Sequence, residues 1–147
     1  MNILAITHLL LLAIFSPHTA GKPLPITGTW KLISGTLESG KDIETTDYTT
    51  GKSFIKVINS THFAFFLHDM EKGKGAQPLY SSGGGRYTLK GNQYTEHLEY
   101  CNDREWEGHD FSFTITIRND TLIQTGREKI ESAGIDRINT EKYVRLR

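Results

Sequence analysis

The chain has 147 residues, with 17 basic and 17 acidic side chains and a single cysteine, Cys101. This length fits one domain with one hydrophobic core and argues against a two-domain enzyme. The formal net charge of zero argues against a nucleic-acid binder, because affinity for phosphate backbones comes mainly from clustered Lys and Arg side chains. With one cysteine, no intrachain disulfide is available to stabilise the fold.

Residues 1–20 differ from the rest of the chain, because they contain no Asp, Glu, Lys or Arg and are almost continuously apolar from Ile3 to Phe15. This run is shorter than the roughly 20 apolar residues that cross a bilayer core. It has the length of a signal-peptide h-region, about 7 to 15 residues. We therefore predict a signal peptide over 1–20, cleaved after Ala20, and a secreted or periplasmic mature domain over 21–147 with no stable membrane span.

The sequence after residue 20 alternates in the manner of β-strands. Between Asp110 and Arg118 every odd position is Phe or Ile and every even position is polar, which places one face in the core and the other in water. The 14 glycines and the many threonines and aromatic residues favour strands and turns over helices. We predict eight strands, at 28–37, 54–58, 62–67, 86–90, 93–100, 110–118, 121–128 and 140–146.

Short turns connect several of these strands. Residues 59–61, 91–92 and 119–120 are Asn, Asp, Gly, Ser or Thr, which tolerate positive φ or make local side-chain turns. Strands joined so closely are antiparallel neighbours, and consecutive hairpins favour an up-and-down barrel over a sandwich with long return connections. The predicted fold class is all-β, an eight-stranded antiparallel up-and-down barrel, with nine or ten strands as the alternative. Residues 38–51 and 69–85 are predicted to be loops.

The first strand opens with Gly28-Thr29-Trp30, which resembles the Gly-x-Trp opening of lipocalins and their calycin relatives. The segments 85–89, 94–97 and 141–145 are similar to those of small secreted bacterial lipocalin-like proteins. The resemblance covers 28–146. It implies that Trp30 closes one end of the barrel against a basic residue of the last strand. Most such bacterial relatives have no assigned ligand, and the resemblance transfers no catalytic residue.

Glu96 is the most informative polar residue of the predicted interior. Alternation over 93–101 places Glu96 on the inner face with Tyr94, Leu98 and Tyr100, and directs Cys101 outward. A buried carboxylate requires a cation, or it takes up a proton.

Tyr143 and Arg145 are two residues apart on the last strand and are candidates to supply that cation with a hydroxyl. In fatty-acid-binding relatives an inward Arg and Tyr hold a ligand carboxylate. Two interpretations remain open. In the first, these residues form a polar anchor in an apolar cavity. In the second, Arg145 stacks on Trp30 as a structural plug and Glu96 pairs with it.

The segment 103–110 is dense in polar and aromatic residues and is predicted to be a loop at the barrel rim. Trp106 is expected to cap the cavity mouth or to pack under this loop, with a role as a lid as the alternative. Glu107, His109 and Asp110 do not match a known zinc pattern, which uses two or more N or S ligands. We therefore predict no metal and no cofactor.

The leading hypothesis is an exported barrel, a monomer or weak dimer without a nucleic-acid partner, that binds a small and mostly hydrophobic ligand. One alternative is a barrel enzyme that acts on a hydrophobic substrate with Glu96 as acid or base. The other is a filled barrel that serves as an envelope interaction module. The candidate ligand-binding residues line or support the interior: Trp30, Phe65, Tyr94, Glu96, Trp106, Phe113, Tyr143 and Arg145.

Overall fold

A computed structural model describes residues 24–147, and the predicted signal peptide lies outside these residues. The described chain forms ten strands and one 3-10 turn, Glu131–Ala133, which confirms the all-β class. No helix in this part of the chain is long and apolar enough to cross a membrane. The strands are β1 Gly28–Ser39, β2 Asp42–Asp47, β3 Lys52–Ile58, β4 His62–Asp69, β5 Tyr80–Lys90, β6 Gln93–His97, β7 Tyr100–Cys101, β8 Asp110–Arg118, β9 Thr121–Ile130 and β10 Ile135–Leu146.

The strands form one closed antiparallel barrel. Along the sheet their order is β10-β9-β8-β6-β5-β4-β3-β1-β2, and β10 also pairs with β1. This last pairing runs from Thr29 opposite Leu146 to Glu38 opposite Ile138. Because β2 and β3 pair with successive parts of β1, and β6 and β7 with successive parts of β5, the ten described strands occupy eight positions around the barrel. The predicted up-and-down barrel is confirmed.

Strand β2 lies within the segment 38–51, which the sequence predicted to be a loop. It pairs with β1 from Ser34 opposite Asp47 to Ser39 opposite Asp42. Five of its six residues are exposed, so neither face carries a row of buried apolar side chains. Alternation cannot identify such a strand, because the signal arises only where one face is buried.

Strand β5 begins at Tyr80, so the predicted loop over 69–85 was wrong in its last six residues. The glycines at 83–85 fall in this predicted loop, but they are strand residues against which neighbouring strands pack closely. A Cβ atom at Gly84 would lie 2.6 Å from the carbonyl oxygen of Phe63, and one at Gly85 would overlap the carbonyl oxygen of His97. Glycine is therefore required by close backbone approach and not by a turn.

The strand predicted over 93–100 is interrupted between β6 and β7. The Leu98 amide donates to the carbonyl of His109 at 3.0 Å, and the amide of Gly108 donates to the carbonyl of Leu98 at 2.7 Å. After this interruption the alternation changes phase, so that Tyr100 is 69% exposed and Cys101 is 8% exposed. The predicted inward Tyr100 and outward Cys101 were therefore wrong, because the irregularity shifts the side chains that follow it to the opposite face.

One end of the barrel, the closed end, is filled around Trp30, which is fully buried. Its indole N–H donates to the carbonyl of Ile26 at 2.7 Å. The guanidinium of Arg145 lies 4.0 Å from the Trp30 ring centroid and donates to the carbonyls of Pro25 and Thr27. The described side chains packed around Trp30 leave no room for a water molecule. They include Ile26, Ile58, Ile115, Leu122 and Tyr143.

Replacing Arg145 with Ala is expected to lower the free energy of unfolding by about 2 kcal/mol, because a cation–π contact and two charged hydrogen bonds are lost. Urea unfolding measures this change. Arg147→Ala is the control, since Arg147 makes an exposed ion pair with Asp120 on the same end of the chain. Equal effects of the two substitutions would contradict the closing role of Arg145.

Candidate ligand-binding cavity

The opposite half of the barrel contains a cavity of about 240 Å³, the upper cavity. It begins at Lys56 in the middle of the barrel and reaches a rim formed by Leu37, Ser81, Asp103 and Trp106. Six aromatic side chains line its walls: Tyr48, Phe54, Phe65, Trp106, Phe111 and Phe113. The barrel is thus packed at the closed end and hollow at the other.

Alternation along the strands explains this lining. On β8 the odd residues face inward, so that Phe111 and Phe113 line the upper cavity while Ile115 belongs to the closed end. On β3 the even residues face inward, which places Phe54 beside the cavity and Lys56 at its floor. The same alternation that buries the apolar side chains of β3 therefore also buries Lys56.

The floor of the upper cavity is a polar layer, made of Lys56, Glu96, Gln124, Glu141 and Tyr143. The Lys56 ammonium is 3% exposed and donates to Glu96 Oε1 at 2.7 Å and to Gln124 Oε1 at 3.2 Å. It lies 3.9 Å from Glu141 Oε2. That oxygen also accepts hydrogen bonds from Gln124 at 3.1 Å and from the Tyr143 hydroxyl at 2.7 Å. One buried cation thus faces two carboxylates.

The pKa values of the polar layer follow from this arrangement. Burial alone would lower the pKa of Lys56, but the charges of Glu96 and Glu141 outweigh burial and raise it, so that Lys56 stays protonated. Burial raises the pKa of Glu96, and the attraction of Lys56 only partly offsets that effect. Burial and the charge of Glu141 raise the pKa of Tyr143 far above its ordinary range, which keeps the hydroxyl protonated as a donor.

Tyr94 lies directly below the layer and is 1% exposed. Among the described residues its hydroxyl has no hydrogen-bond partner of good geometry, although it is near enough to Glu96 for that carboxylate to raise its pKa together with burial. A buried hydroxyl without a partner costs free energy. The Tyr94 hydroxyl therefore lies beside Glu96 as a donor that is at most weakly engaged.

A second polar group lies nearer the rim. Glu128 accepts from Arg137 Nε and from the Asn139 amide, both at 2.7 Å. The Arg137 guanidinium lies 5.1 Å from the centroid of the Trp106 ring, and this ring packs on Phe111 at 5.5 Å. Trp106 is thus held at the rim by a cation on one side and by an aromatic ring in the wall.

The structure distributes the predicted site residues over two regions. Glu96, Phe65, Phe113 and Trp106 line the upper cavity. Trp30 and Tyr94 lie at the closed end with the ring of Tyr143, whose hydroxyl belongs to the polar layer, and Arg145 stacks on Trp30 there. The partner of Glu96 is therefore Lys56 and not Arg145.

Sequence reasoning missed Lys56, although its signal was present. Lys56 lies between Phe54 and Ile58 at an inward-facing position of β3, and the sequence analysis already called for a cation near Glu96.

The residues considered as candidates for metal binding do not lie together. Glu107 pairs with Arg104, and Asp110 pairs with His97. Within residues 24–147, no group of three His, Cys, Asp or Glu side chains is placed to hold a metal ion.

Replacing Lys56 with Met is expected to lower the free energy of unfolding by about 3 to 5 kcal/mol, because Glu96 and Glu141 are then buried without a cation. Chemical denaturation measures the loss. Lys129→Met is the matched control, since Lys129 is half-exposed and pairs with a surface carboxylate. A loss no larger than that of the control would contradict a stabilising role of the buried pair.

Glu96 also predicts a pH dependence. A carboxyl with a raised folded pKa binds its proton more tightly in the folded state than in the unfolded chain. Its contribution to the free energy of unfolding is fully present below pH 4.5, the ordinary value for Glu, and is lost as the pH rises through the folded value. The free energy of unfolding of wild type minus that of Glu96→Gln should therefore fall as the pH rises from 4.5 towards neutral pH. Glu131→Gln, at an exposed carboxylate whose pKa is lowered by Lys129, should not reproduce this trend.

The sequence matches no protein-family profile. A comparison with curated proteins finds no similar sequence. Among solved structures, the chain is similar to a lipocalin-like protein from Bacteroides uniformis ATCC 8492, with 14% identity, a TM-score of 0.49, and coverage of 82% of this chain and 97% of the other. It is also similar to an uncharacterized protein from Bacteroides eggerthii DSM 20697, with 11% identity, a TM-score of 0.47, and coverage of 82% and 98%. By its strand order, its β1–β10 closure and the Trp30–Arg145 contact, the described chain has a lipocalin-like barrel fold.

Proposed function

We propose that this protein binds a small molecule with an apolar body in its upper cavity. The observation that carries the proposal is a cavity of about 240 Å³ in a barrel whose other end is packed solid. A cavity of about 150 Å³ is large enough for benzene. The upper cavity therefore has room for a ligand of about ten non-hydrogen atoms, on the same scale.

The walls support an apolar ligand body. Phe54 and Phe65 are stacked with their ring centroids 5.6 Å apart, and Phe113 continues this surface on β8. Aromatic walls with a few convergent polar groups are typical of small-molecule sites, in which the polar groups fix the orientation of the ligand. Glu96 and Glu141 supply those groups at the floor.

Acid–base catalysis on a bound substrate is a second candidate, favoured by the buried Glu96, whose pKa is raised, at the floor of the cavity. The 2.7 Å ion pair with Lys56 favours the binding function, because the ammonium already engages one oxygen of the Glu96 carboxylate. The cavity also argues against the filled-barrel alternative.

Export of the protein is part of the proposal, supported by the apolar segment 1–20 and its resemblance to a signal peptide. Intact-mass measurement of the protein secreted by its own source tests this part. Export predicts a mature N-terminus at Gly21, and recovery of the uncut chain from the cytoplasm alone would contradict it.

A tryptophan placed inside the cavity is expected to abolish ligand binding. Cys101→Trp fills the interior, because Cys101 lines the cavity. Tyr100→Trp is the matched control, since the neighbouring side chain points outward and is 69% exposed. Saturation-transfer NMR with 2-naphthol should show binding to wild type and to the control but not to Cys101→Trp.

Circular dichroism and the melting temperature establish that both variants are folded. Native mass spectrometry of protein purified from its own source provides an independent measurement, because it detects a ligand retained from the cell. Equal binding of 2-naphthol to folded Cys101→Trp and to wild type would place the site elsewhere and overturn the proposal.

A further inference from the structure

We propose that the upper cavity selects a cationic ligand, namely a primary amine carried on a small apolar body, and rejects carboxylates. This inference rests on the proposed binding function and names its ligand class. It departs from the expectation of a purely hydrophobic ligand, and from the anchoring of a ligand carboxylate by an inward arginine.

The charged residues of the lining are unbalanced. The cavity is lined by two cations and four carboxylates, a formal excess of two negative charges: Lys56, Arg137, Asp103, Glu96, Glu128 and Glu141. The whole chain has equal numbers of basic and acidic side chains. The excess is therefore a property of the cavity and not of the overall composition.

Both cations of the described lining are already engaged. Lys56 donates to Glu96 and to Gln124. Arg137 donates to Glu128 and lies over the Trp106 ring. A ligand carboxylate would have to displace one of these contacts, and it would add a further negative charge to the cavity.

Of the two carboxylates in the polar layer, Glu141 is the one without a hydrogen-bonded cation. Its Oε2 accepts hydrogen bonds from two neutral donors, Gln124 and Tyr143, and its only described cationic neighbour is Lys56 at 3.9 Å, which bonds more closely to Glu96. The side chain is 15% exposed and lies at the floor of the cavity. A ligand ammonium would supply the missing counter-charge and form a charge-assisted hydrogen bond.

Two further features around Lys56 favour a cation. Burial raises the pKa of Glu96 and the nearby charge of Glu141 adds to the increase, so a further positive charge beside Glu96 would stabilise its ionised form. The buried Tyr94 hydroxyl beside Glu96 has no partner of good geometry among the described residues. It is thus available to the carboxylate when that group reorients towards a ligand.

The aromatic walls are compatible with the same ligand class. Ring faces carry negative electrostatic potential and attract ammonium groups within about 6 Å. The rings of Tyr48 and Phe54 lie edge to face with their centroids 6.0 Å apart, and the Phe54 ring also stacks on Phe65. An apolar body packed between these rings would direct its ammonium to the polar layer.

Three probes of similar size and different charge test the inference: 2-phenylethylamine, 2-phenylethanol and 3-phenylpropanoate. Isothermal titration calorimetry at pH 7 with the full mature protein gives their affinities. We expect the amine to bind at least about tenfold more tightly than the alcohol, and the carboxylate to bind most weakly. Equal or tighter binding of the alcohol or the carboxylate, or no detectable binding of the amine, would overturn the inference.

Two charge-removing variants locate the effect. Glu141→Gln is expected to weaken amine binding about tenfold or more and to weaken the binding of 2-phenylethanol far less. Glu131→Gln removes the same charge from the exposed 3-10 turn and should leave both affinities unchanged. An amine affinity that is equal in Glu141→Gln and in wild type would contradict the role of Glu141.

The outcomes separate this inference from the proposed function. If Cys101→Trp blocks 2-naphthol while the three probes bind without preference for the amine, the cavity is a binding site and only its selectivity for cations is wrong. If folded Cys101→Trp binds 2-naphthol as wild type does, the binding function itself is wrong, and the inference falls with it.

Discussion

The structure depends on one buried ammonium group. Lys56 is held in the middle of the barrel by acceptors from three other strands: Glu96 on β6, Gln124 on β9 and Glu141 on β10. An uncompensated charge in this position would cost several kcal/mol, so the four strands must meet in this register for the chain to fold. The layer thereby fixes the relative positions of strands that are distant in the sequence.

The same layer explains why the barrel is half filled. Below it, Trp30 and aliphatic side chains pack without gaps, and Arg145 covers them from outside. Above it, an apolar side chain that filled the barrel would have to cover Glu141 and Glu96 and deprive them of polar contact, which is unfavourable. The proposed ligand selectivity and the stability of the barrel are therefore coupled, since the carboxylates around Lys56 also face the cavity.

Alternation predicted the fold where one face of a strand is buried. It identified β8 with Phe111 and Phe113 inside, and it placed Glu96 in the interior, because parity along a regular strand is a local property. It failed at Tyr100 and Cys101, because the interruption after β6 is made by hydrogen bonds to the segment before β8. It missed β2, which has two exposed faces and is formed by pairing with β1. Contacts between distant segments decide both cases.

The partner of Glu96 shows the same limit at the level of the site. Alternation along β10 places Tyr143 and Arg145 on one face of the strand. It does not tell how far along the barrel axis each residue lies, because that depends on the stagger of the strands when the barrel closes. Arg145 lies opposite Trp30 at the closed end, whereas Lys56 reaches Glu96 from β3. This difference changes the chemistry of the cavity. With Arg145 outside, the interior has too few cations for its carboxylates, and a ligand that brings a positive charge fits better than one that brings a negative charge.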